Sequence, residues 1–381
     1  MPKSMLLEIL EKRSAATILR TTKQPEVLSH EIPVFPYLAL VGQMEMKTAL
    51  LLAVINPAVG GVLLIGPRGT GKTTAVRGLV DLMPVVRRSL CPYGCDEEAA
   101  ETWGMDAICP DCAAKMGRGE PLTGPERMRL IELPLNARLE DVVGGINERL
   151  AIEQNRVRLE RGILSFAHTN LLYIDEVNLL DDILVDAILD AAAQGRVTVR
   201  RGPMTAVYPS SFVLVGSMNP EEGALRPQIQ DRFGLRVVVD GLHEPEERLE
   251  VYRRVRAFRE HPYRLMAILA EDTLAFGEEV IRARELLPDV KLTPSAEQLT
   301  LHMVRDLEIA SHRAEITTLE AARAYAAADG RQVATDEDVI AVAPMALRQR
   351  RSAFIQDFFR ASDEEDAEIE ASWRRVRGDA S

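Results

Sequence analysis

The chain has 381 residues, of which 46% are apolar and 27% charged, and it carries a formal net charge of −12 with an isoelectric point near 5.2. The length predicts two globular units, and the composition is that of a folded protein in water rather than a disordered or membrane-spanning one. The acidic balance argues against broad binding to nucleic acid, which depends on clustered Lys and Arg.

The first segment in chain order, residues 1–30, is predicted to be a flexible or helical leader in which charged residues interrupt the leucines. A secretory signal has an uninterrupted apolar core, and a membrane span needs about 20 apolar residues in a row. The sequence has neither pattern. We therefore expect a cytoplasmic location and no membrane partner.

Five short apolar runs then predict buried strands, with helical spacing between them. These strands are 62–65, 129–133, 171–174, 212–215 and 236–239. Strands that alternate with helices favour an α/β fold, with a five-stranded parallel sheet covered on both faces, in a domain spanning 31–241.

After this sheet the strand pattern stops, and residues 242–350 predict a second, all-helical domain. Its helices are predicted at 249–258, 272–287, 294–311, 315–328 and 336–350. The remaining residues, 351–381, form an acidic tail, which is typical either of a solvated terminus or of a docking segment for a partner.

The strongest motif follows the first predicted strand. It matches G-x-x-x-x-G-K-[ST] in full, and a helix is predicted directly after it at 73–82. Its glycines let successive backbone N–H groups point at phosphates. Lys72 is expected to reach the β- and γ-phosphates of ATP, Thr73 to hold Mg²⁺ and Thr74 to contact the α-phosphate. The predicted nucleotide-binding residues here are Gly66, Gly69, Thr70, Gly71, Lys72, Thr73 and Thr74.

Two carboxylates end the strand at 171–174. Asp175 is expected to hold Mg²⁺ through its water shell, and Glu176 to polarise the attacking water as a general base. Asn219 follows the next strand and could orient the same water. Arg226 and Arg232 come shortly afterwards, and either could supply a cation for the transition state, an interaction worth about 10³- to 10⁵-fold in rate.

All four cysteines lie in a loop predicted at 85–122, as the pairs Cys91-x₃-Cys95 and Cys109-x₂-Cys112. Two closely spaced pairs joined by a loop provide the four soft ligands of tetrahedral Zn²⁺. A structural zinc site is the first interpretation. A regulatory dithiol pair and four unligated thiols are the alternatives.

These motifs in this order resemble AAA+ ATPases, and specifically the family of magnesium chelatase I subunits. The most similar stretches are 132–137, 172–180 and 219–234, within a resemblance that runs from about residue 34 to residue 350. The resemblance implies that Asn219 is the sensor-1 residue, that Arg232 is an arginine finger offered to a neighbouring subunit, and that Arg313 is the sensor-2 arginine. It also implies that Val41 and Gly42 line the adenine pocket.

The same resemblance implies an insertion in the second helix at 145–164 and a hairpin before sensor 1 at 197–207. It implies a self-assembled ring, expected to be a hexamer, with a second AAA+-like chelatase subunit and a large porphyrin-binding subunit as partners. The implied task is ATP-driven insertion of Mg²⁺ into protoporphyrin IX during chlorophyll or bacteriochlorophyll synthesis.

Three other functions remain open at this point. The chain could be a remodelling or metal-insertion chaperone of the same branch (MoxR-like), or the motor of another chelatase. A DNA translocase is the third, and the negative net charge disfavours it, as it disfavours nucleic-acid partners in general.

Overall fold

The computed structural model describes residues 5–15, 33–91, 94–105, 108–146, 159–202, 204–351, 362 and 364–373. Within these residues the strands are β1 Val62–Ile65, β2 Val85–Ser89, β3 Thr123–Arg127, β4 Leu130–Leu133, β5 Gly144–Ile146, β6 Leu159–Arg161, β7 Leu171–Ile174, β8 Arg196–Arg201, β9 Met204–Pro209, β10 Val213–Met218, β11 Leu235–Val238, β12 Lys291–Leu292 and β13 Val333–Ala334.

The helices of the same residues alternate with these strands up to β11 and then dominate the chain. They are α1 Met5–Ala15, α2 Met44–Ile55, α3 Lys72–Gly78, α4 Glu97–Trp103, α5 Pro110–Gly117, α6 Leu139–Val143, α7 Ile163–Phe166, α8 Asp182–Gln194, α9 Pro227–Arg232, α10 Pro245–Glu260, α11 Pro262–Leu286, α12 Pro294–Asp306, α13 Arg313–Ala328 and α14 Asp336–Leu347. Short 3₁₀ turns lie at Tyr37–Ala39, Pro57–Val59, Leu79–Leu82, Val177–Leu179, Pro220–Glu222 and Leu287–Asp289.

A five-stranded sheet in the order β11-β1-β10-β7-β4 forms the centre of the α/β region. Every neighbouring pair in it is parallel. The predicted parallel sheet is therefore confirmed, and β10 separates the strand of Asp175 from the strand that precedes the phosphate loop, as expected. β10 extends past the predicted residue 215 to Met218, because residues 216–218 continue the pairing with Leu63–Ile65.

The parallel arrangement gives the sheet two distinct edges. The segments that follow β1, β10 and β7 all leave from the carboxyl edge, and those that precede these strands arrive at the amino edge. Each strand has at least four residues at roughly 3.3 Å per residue, so the two edges are about 13 Å or more apart. The chemistry of each predicted residue depends on which edge it occupies.

The two faces of the sheet belong to two different apolar cores, because side chains alternate along a strand. Leu64 and Val215 face a core that also contains Phe276 and Val280 of α11, so this face packs on the helical region. Leu63 and Leu214 face the second core, which α8 completes. The helical region is thus held to the sheet by a continuous apolar contact.

The helical region departs from the expected all-helical pattern in one detail. β12 and β13 form a two-residue parallel pair, with Lys291 opposite Val333. Helices α10 and α11 also begin earlier than the spacing predicts. Pro245 and Pro262 stand in the first turn of these helices, where proline's missing N–H is tolerated.

Two expected additions to the α/β region are antiparallel strand pairs. β5 pairs with β6 in the region of the predicted insertion at 145–164, whose residues 147–158 lie outside the described residues. β8 and β9 form a hairpin that spans the predicted 197–207.

The two ends of the chain are only partly described. In the predicted leader, α1 places Leu6 and Leu10 in the first core, so this helix packs on the fold. In the predicted tail, residues 364–373 are helical and exposed. None of the helices in the described part of the chain combines the length and apolar character that a bilayer span requires.

Candidate active site

The phosphate loop leaves the carboxyl end of β1 and enters α3. Gly69 and Gly71 have φ angles of +82° and +90°, which a side chain rarely allows, and a Cβ on either would meet no atom within 4 Å. Gly66 lies against β11, where a Cβ would come within 2.0 Å of the Val239 carbonyl oxygen. The loop therefore needs its glycines for backbone geometry, and its open side forms a cradle.

Lys72 is buried inside this loop. Its Nζ donates to the carbonyl oxygens of Gly66 at 2.6 Å and Pro67 at 2.8 Å. Burial lowers the pKa of Lys72, while the nearby carboxylates of Asp175 and Glu176 act in the opposite direction. The ammonium is thus held under the cradle, where it faces the position of a bound phosphate chain.

Asp175 follows β7 and is fixed by three hydroxyl groups. Thr73 Oγ1 donates to its Oδ2 at 3.2 Å, Tyr173 OH donates to Oδ1 at 2.8 Å, and the Ser217 hydroxyl also donates to Oδ1. The Thr73 hydroxyl and the Asp175 carboxylate are hard oxygen ligands, which Mg²⁺ prefers. The pair therefore fits a Mg²⁺ ion between the loop and β7.

Sequence reasoning missed Tyr173 and Ser217. Burial raises the pKa of Tyr173, so its phenol keeps its proton and remains a hydrogen-bond donor to Asp175. A signal for Tyr173 was present in the sequence, because residues two apart on a strand point to the same face. Ser217 lies on the neighbouring strand, and only the pairing of β10 with β7 brings it to Asp175.

Glu176 stands next to this carboxylate with an unusual backbone. Its φ of +54° lies in the left-handed region, which costs a non-glycine residue on the order of 1 kcal/mol. Its N–H donates to Ser217 Oγ at 3.1 Å, and Arg68 Nη2 lies 3.2 Å from its Oε1. The turn aims the Glu176 side chain at the cradle, with Arg68 as an exposed ionic neighbour.

Asn219 follows β10 and is buried between the loop and β7. Its Oδ1 accepts from the N–H of Glu221 at 3.2 Å, and its backbone oxygen accepts from Asn178 Nδ2 at 3.4 Å. Asn219 thus lies where sequence reasoning expected it, at the tip of the strand between the phosphate loop and the two carboxylates.

Two cavities adjoin the loop and share its residues 68–71 and Thr74. The smaller, of about 300 Å³, is lined by Lys72, Asp175 and Glu176. The larger, of about 560 Å³, is lined by apolar residues that include Val41 and Leu242. Together they fit the phosphates and the base of a nucleotide on either side of the loop.

Gly42 lies at the rim of the larger cavity. Its φ is +56°, and a Cβ there would come within 2.6 Å of Leu242 Cδ2. Val41 lines this cavity and Gly42 follows it in the chain, and the close approach to Leu242 explains the glycine.

The structure does not bring Arg232 or Arg313 to this site. Both line a separate cavity of about 190 Å³ together with Gly60 and Gly61, which precede β1. That cavity lies at the amino edge of the sheet. Arg232 Nη1 donates to Asp190 Oδ1 at 2.6 Å, and Arg313 is half exposed, with Nη1 3.9 Å from Asp231 Oδ2.

Asp231 lies beside both Arg232 and Arg313 and holds the chain segments that carry them. Its Oδ1 accepts from Arg350 Nη1 at 2.7 Å, and its Oδ2 accepts from Ser311 Oγ at 2.7 Å. The segment of Ser311 leads directly into Arg313, whereas Asp231 itself precedes Arg232. One carboxylate therefore fixes both arginines relative to each other, although they come from different regions of the chain.

Arg226, the other arginine considered from the sequence, is bound by α8. Its Nε lies 2.9 Å from Asp182 Oδ1, and its Nη2 lies 3.4 Å from Asp186 Oδ2. It does not line the cavity of Arg232 and Arg313.

The four cysteines form a cluster of their own, in a lobe inserted between α3 and β4. Their sulfur atoms all lie within 4.8 Å of one another, and Cys91 Sγ is 3.7 Å from Cys109 Sγ. Zn–S bonds of about 2.3 Å place tetrahedral sulfurs about 3.8 Å apart. The Cys109 N–H donates to Cys95 Sγ at 3.2 Å, and Cys112 is buried. The cluster therefore fits one tetrahedral zinc ion.

A parallel sheet with a phosphate loop, a strand-end carboxylate pair and a helical lid defines an AAA+ ATPase. A protein from Cytophaga hutchinsonii has the same fold in its crystal structure, with a TM-score of 0.52, 22% identity, and coverage of 82% of this chain and 83% of that one. The family profile described as an AAA lid domain matches residues 301–372.

The similarity to magnesium chelatase subunits is closer and spans most of the chain. The profile of magnesium chelatase, subunit ChlI, matches residues 149–233. A ChlI homolog from Methanocaldococcus jannaschii is 43% identical over 84% of this chain and 87% of its own length. The magnesium-chelatase 38 kDa subunit of Acidiphilium rubrum is 42% identical over 83% and 90%. The chain belongs to the magnesium chelatase I-subunit family.

Proposed function

We propose that this chain is the ATP-hydrolysing motor of a magnesium chelatase, and that it couples hydrolysis to insertion of Mg²⁺ into protoporphyrin IX in chlorophyll or bacteriochlorophyll synthesis. The observation that carries the proposal is the 43% and 42% identity to relatives named as chelatase subunits, over more than four fifths of this chain. The geometry at the carboxyl edge supports the hydrolytic half of the proposal.

Hydrolysis follows from the positions of five side chains. Lys72 binds the β- and γ-phosphates of ATP, and the N–H groups of the loop hold the rest of the chain. Thr73 and Asp175 hold Mg²⁺, which neutralises phosphate charge when bound. Glu176 accepts the proton of the attacking water, and Asn219 orients that water from the adjacent strand tip.

The amino edge of one chain supplies the arginine that the phosphate-loop site of a neighbouring copy lacks. Arg232 and Arg313 lie at the opposite end of the sheet from their own phosphate loop, so they cannot serve the nucleotide of the same chain. A ring, which we expect to be a hexamer, sets the amino edge of one chain against the carboxyl edge of the next. Arg232 then acts as an arginine finger and Arg313 as the sensor-2 arginine, both on the neighbour's nucleotide.

Substrate chemistry belongs to partners in this proposal. A second AAA+-like subunit shares the ring, and a large subunit binds the porphyrin. The contribution of this chain is conformational, because each cycle of hydrolysis changes the contact between adjacent subunits.

We also propose that Cys91, Cys95, Cys109 and Cys112 hold a structural Zn²⁺. The sulfur spacing within 4.8 Å supports this ligand set, and four cysteines leave no open position for catalysis. Metal analysis of the purified chain should find about one zinc per chain; less than about 0.3 would contradict the site.

The chelatase role is tested by reconstitution. The chain is mixed with the porphyrin-binding and second-ring subunits, protoporphyrin IX, Mg²⁺ and ATP, and the absorption shift of Mg-porphyrin is followed. We expect a shift that depends on ATP and is lost with Glu176→Gln. If ATP is hydrolysed at the wild-type rate but the pigment stays metal-free, a chaperone role or another chelatase replaces the proposal.

A further inference from the structure

Two basic side chains are fully buried at the larger cavity beside the phosphate loop, hereafter the base cavity. Lys47 of α2 is 1% exposed and Arg254 of α10 is 0% exposed. Lys and Arg are almost never completely buried unless acceptors surround the charge, because desolvation of a cation is costly. The groups that accept hydrogen bonds from Lys47 and Arg254 therefore indicate the role of these two side chains.

Two of these acceptors are consecutive backbone carbonyls of one short segment. Lys47 Nζ donates to the Leu40 oxygen at 2.6 Å, and Arg254 Nη1 donates to the Ala39 oxygen at 3.0 Å. The Arg254 Nε in turn donates to Glu250 Oε1 at 2.7 Å, which fixes the guanidinium plane. These two hydrogen bonds thus hold residues 39 and 40, and the bond from the Arg254 guanidinium is charge-assisted.

This segment is the wall of the base cavity. Ala39, Leu40 and Val41 line the cavity of about 560 Å³, and its other side reaches the phosphate loop. Because the carbonyls of Ala39 and Leu40 accept hydrogen bonds from Lys47 and Arg254, the backbone of this wall is fixed, and Arg254 itself is among the residues that line the cavity. A displacement of residues 39–41 would change the shape that meets a nucleotide base.

The N-terminal helix is tied to the same point. Arg254 Nη1 also donates to the Arg13 carbonyl oxygen in α1 at 3.0 Å, and Arg13 pairs with Asp272 of α11. One guanidinium group therefore links α1, α10 and the wall of the base cavity.

We propose that Lys47 and Arg254 are positioning residues for the nucleotide base, which set base affinity and the preference for adenine by holding the carbonyls of Leu40 and Ala39. The proposal rests on the nucleotide site proposed above. Neither side chain touches the phosphates or the attacking water, so the effect falls on binding of the base and leaves the chemical step unchanged.

The test compares Lys47→Met and Arg254→Met with wild type. We expect KM for ATP to rise about 10-fold or more with kcat changed less than about 2-fold, and the kcat/KM preference for ATP over GTP to fall about 10-fold. Arg254→Lys retains a donor toward Ala39 and should recover part of the preference.

Arg284→Met is the matched control. Arg284 is a partly buried arginine that likewise donates to a carbonyl of α2, that of Val54 at 2.6 Å, but it does not line the base cavity. Thermal unfolding without nucleotide reports any general loss of stability in all variants. The proposal is overturned if the two variants keep the wild-type KM and base preference, or if Arg284→Met shows the same change.

Calorimetric binding of ADP and GDP separates this proposal from the proposed activity, since it needs no hydrolysis. Wild type that binds ADP without hydrolysing ATP would contradict the ATPase and still allow the base preference of each variant to be measured. Equal loss of ADP and GDP affinity in Lys47→Met would overturn the base-specific role.

Discussion

The two edges of the central sheet differ in how complete they are. At the carboxyl edge, Lys72 follows β1, Asp175 and Glu176 follow β7, and all three line one cavity. At the amino edge, Arg232 and Arg313 surround a smaller cavity and are paired only with carboxylates of their own chain. In the proposed ring, the first edge holds the residues assigned to hydrolysis and the second holds the arginines assigned to a neighbour's site. Each chain would then contribute to two different sites.

Arg232→Ala tests this division most strongly. If Arg232 completes the site of a neighbour, its loss should lower kcat by about 10³-fold or more, because the transition-state charge is left uncompensated, while ATP binding persists. Turnover of ATP by the assembled chain measures the effect. Mixing the variant with Glu176→Gln chains should restore activity, since some interfaces then combine an intact Arg232 with an intact Glu176.

Arg226→Ala is the comparison variant, because the sequence alone left both arginines open. Arg226 is bound to Asp182 and Asp186 and lies outside the cavity of Arg232. Loss of turnover in Arg226→Ala together with normal turnover in Arg232→Ala would reverse the assignment. An absence of rescue in the mixture would instead place Arg232 in the site of its own chain.

Glu176→Gln tests the carboxyl edge alone. Glutamine keeps the shape of the side chain and cannot accept a proton, so kcat should fall about 10²- to 10⁴-fold. The affinity for ATP, measured by calorimetry, should change little, because Lys72 and the loop are untouched. Strongly weakened binding would mean that Glu176 holds the nucleotide rather than activating water.

Lys47 gives a prediction about stability at the same edge. Burial, with the neighbouring Arg254 as a second cause, lowers the pKa of Lys47 to about 7, against about 10.4 in an unfolded chain. Between these values the unfolded state binds one more proton, so this group makes the free energy of unfolding rise with pH by about 1.4 kcal/mol per unit.

Urea unfolding should therefore be measured at two pH values that lie 1.5 units apart within this range. From the lower to the higher pH, the free energy of unfolding should rise by about 2 kcal/mol more in wild type than in Lys47→Met. Lys291→Met, which removes an exposed lysine, is the control and should behave as wild type. An identical pH dependence in all three proteins would show that Lys47 remains charged in the folded state.

Cys91→Ser is expected to have the smallest effect on turnover. The variant should lose zinc and make the lobe at 85–127 sensitive to protease, since the metal supplies much of the order in so small a core. KM for ATP should change less than about 2-fold, because the lobe does not line either cavity at the phosphate loop. A large rise in KM would mean that the metal lobe and the nucleotide site are coupled.

Much of the fold could be predicted because its signals are local. β1 and β7 are continuous apolar runs, and the structure begins and ends both at the predicted residues. The phosphate loop is equally local, since its glycines and Lys72 stand in one stretch of sequence. Helix ends were less well predicted, because an N-terminal proline such as Pro262 can begin a helix well before its apolar spacing becomes regular.

The rest of the site depends on contacts between distant residues. Ser217 binds Asp175 only because β10 pairs with β7, and Asp231 binds Arg350 across 119 positions of sequence. The sequence alone would place Lys47 and Arg254 on the surface, since most lysines and arginines are exposed. Only the packing of α2 and α10 around the base cavity reveals them as buried.

The cysteine lobe enters and leaves the fold at a single point. Its first and last strands, β2 and β3, pair from Val85 opposite Arg127, and just outside them the Met128 N–H bonds the Pro84 oxygen at 2.9 Å. A tight turn is enough to join Pro84 to Met128 directly. The lobe can therefore be gained or lost without a change in the strand order of the central sheet. The proposed zinc site is therefore structurally separable from the central sheet, and a chain that lacked the lobe could keep the same sheet.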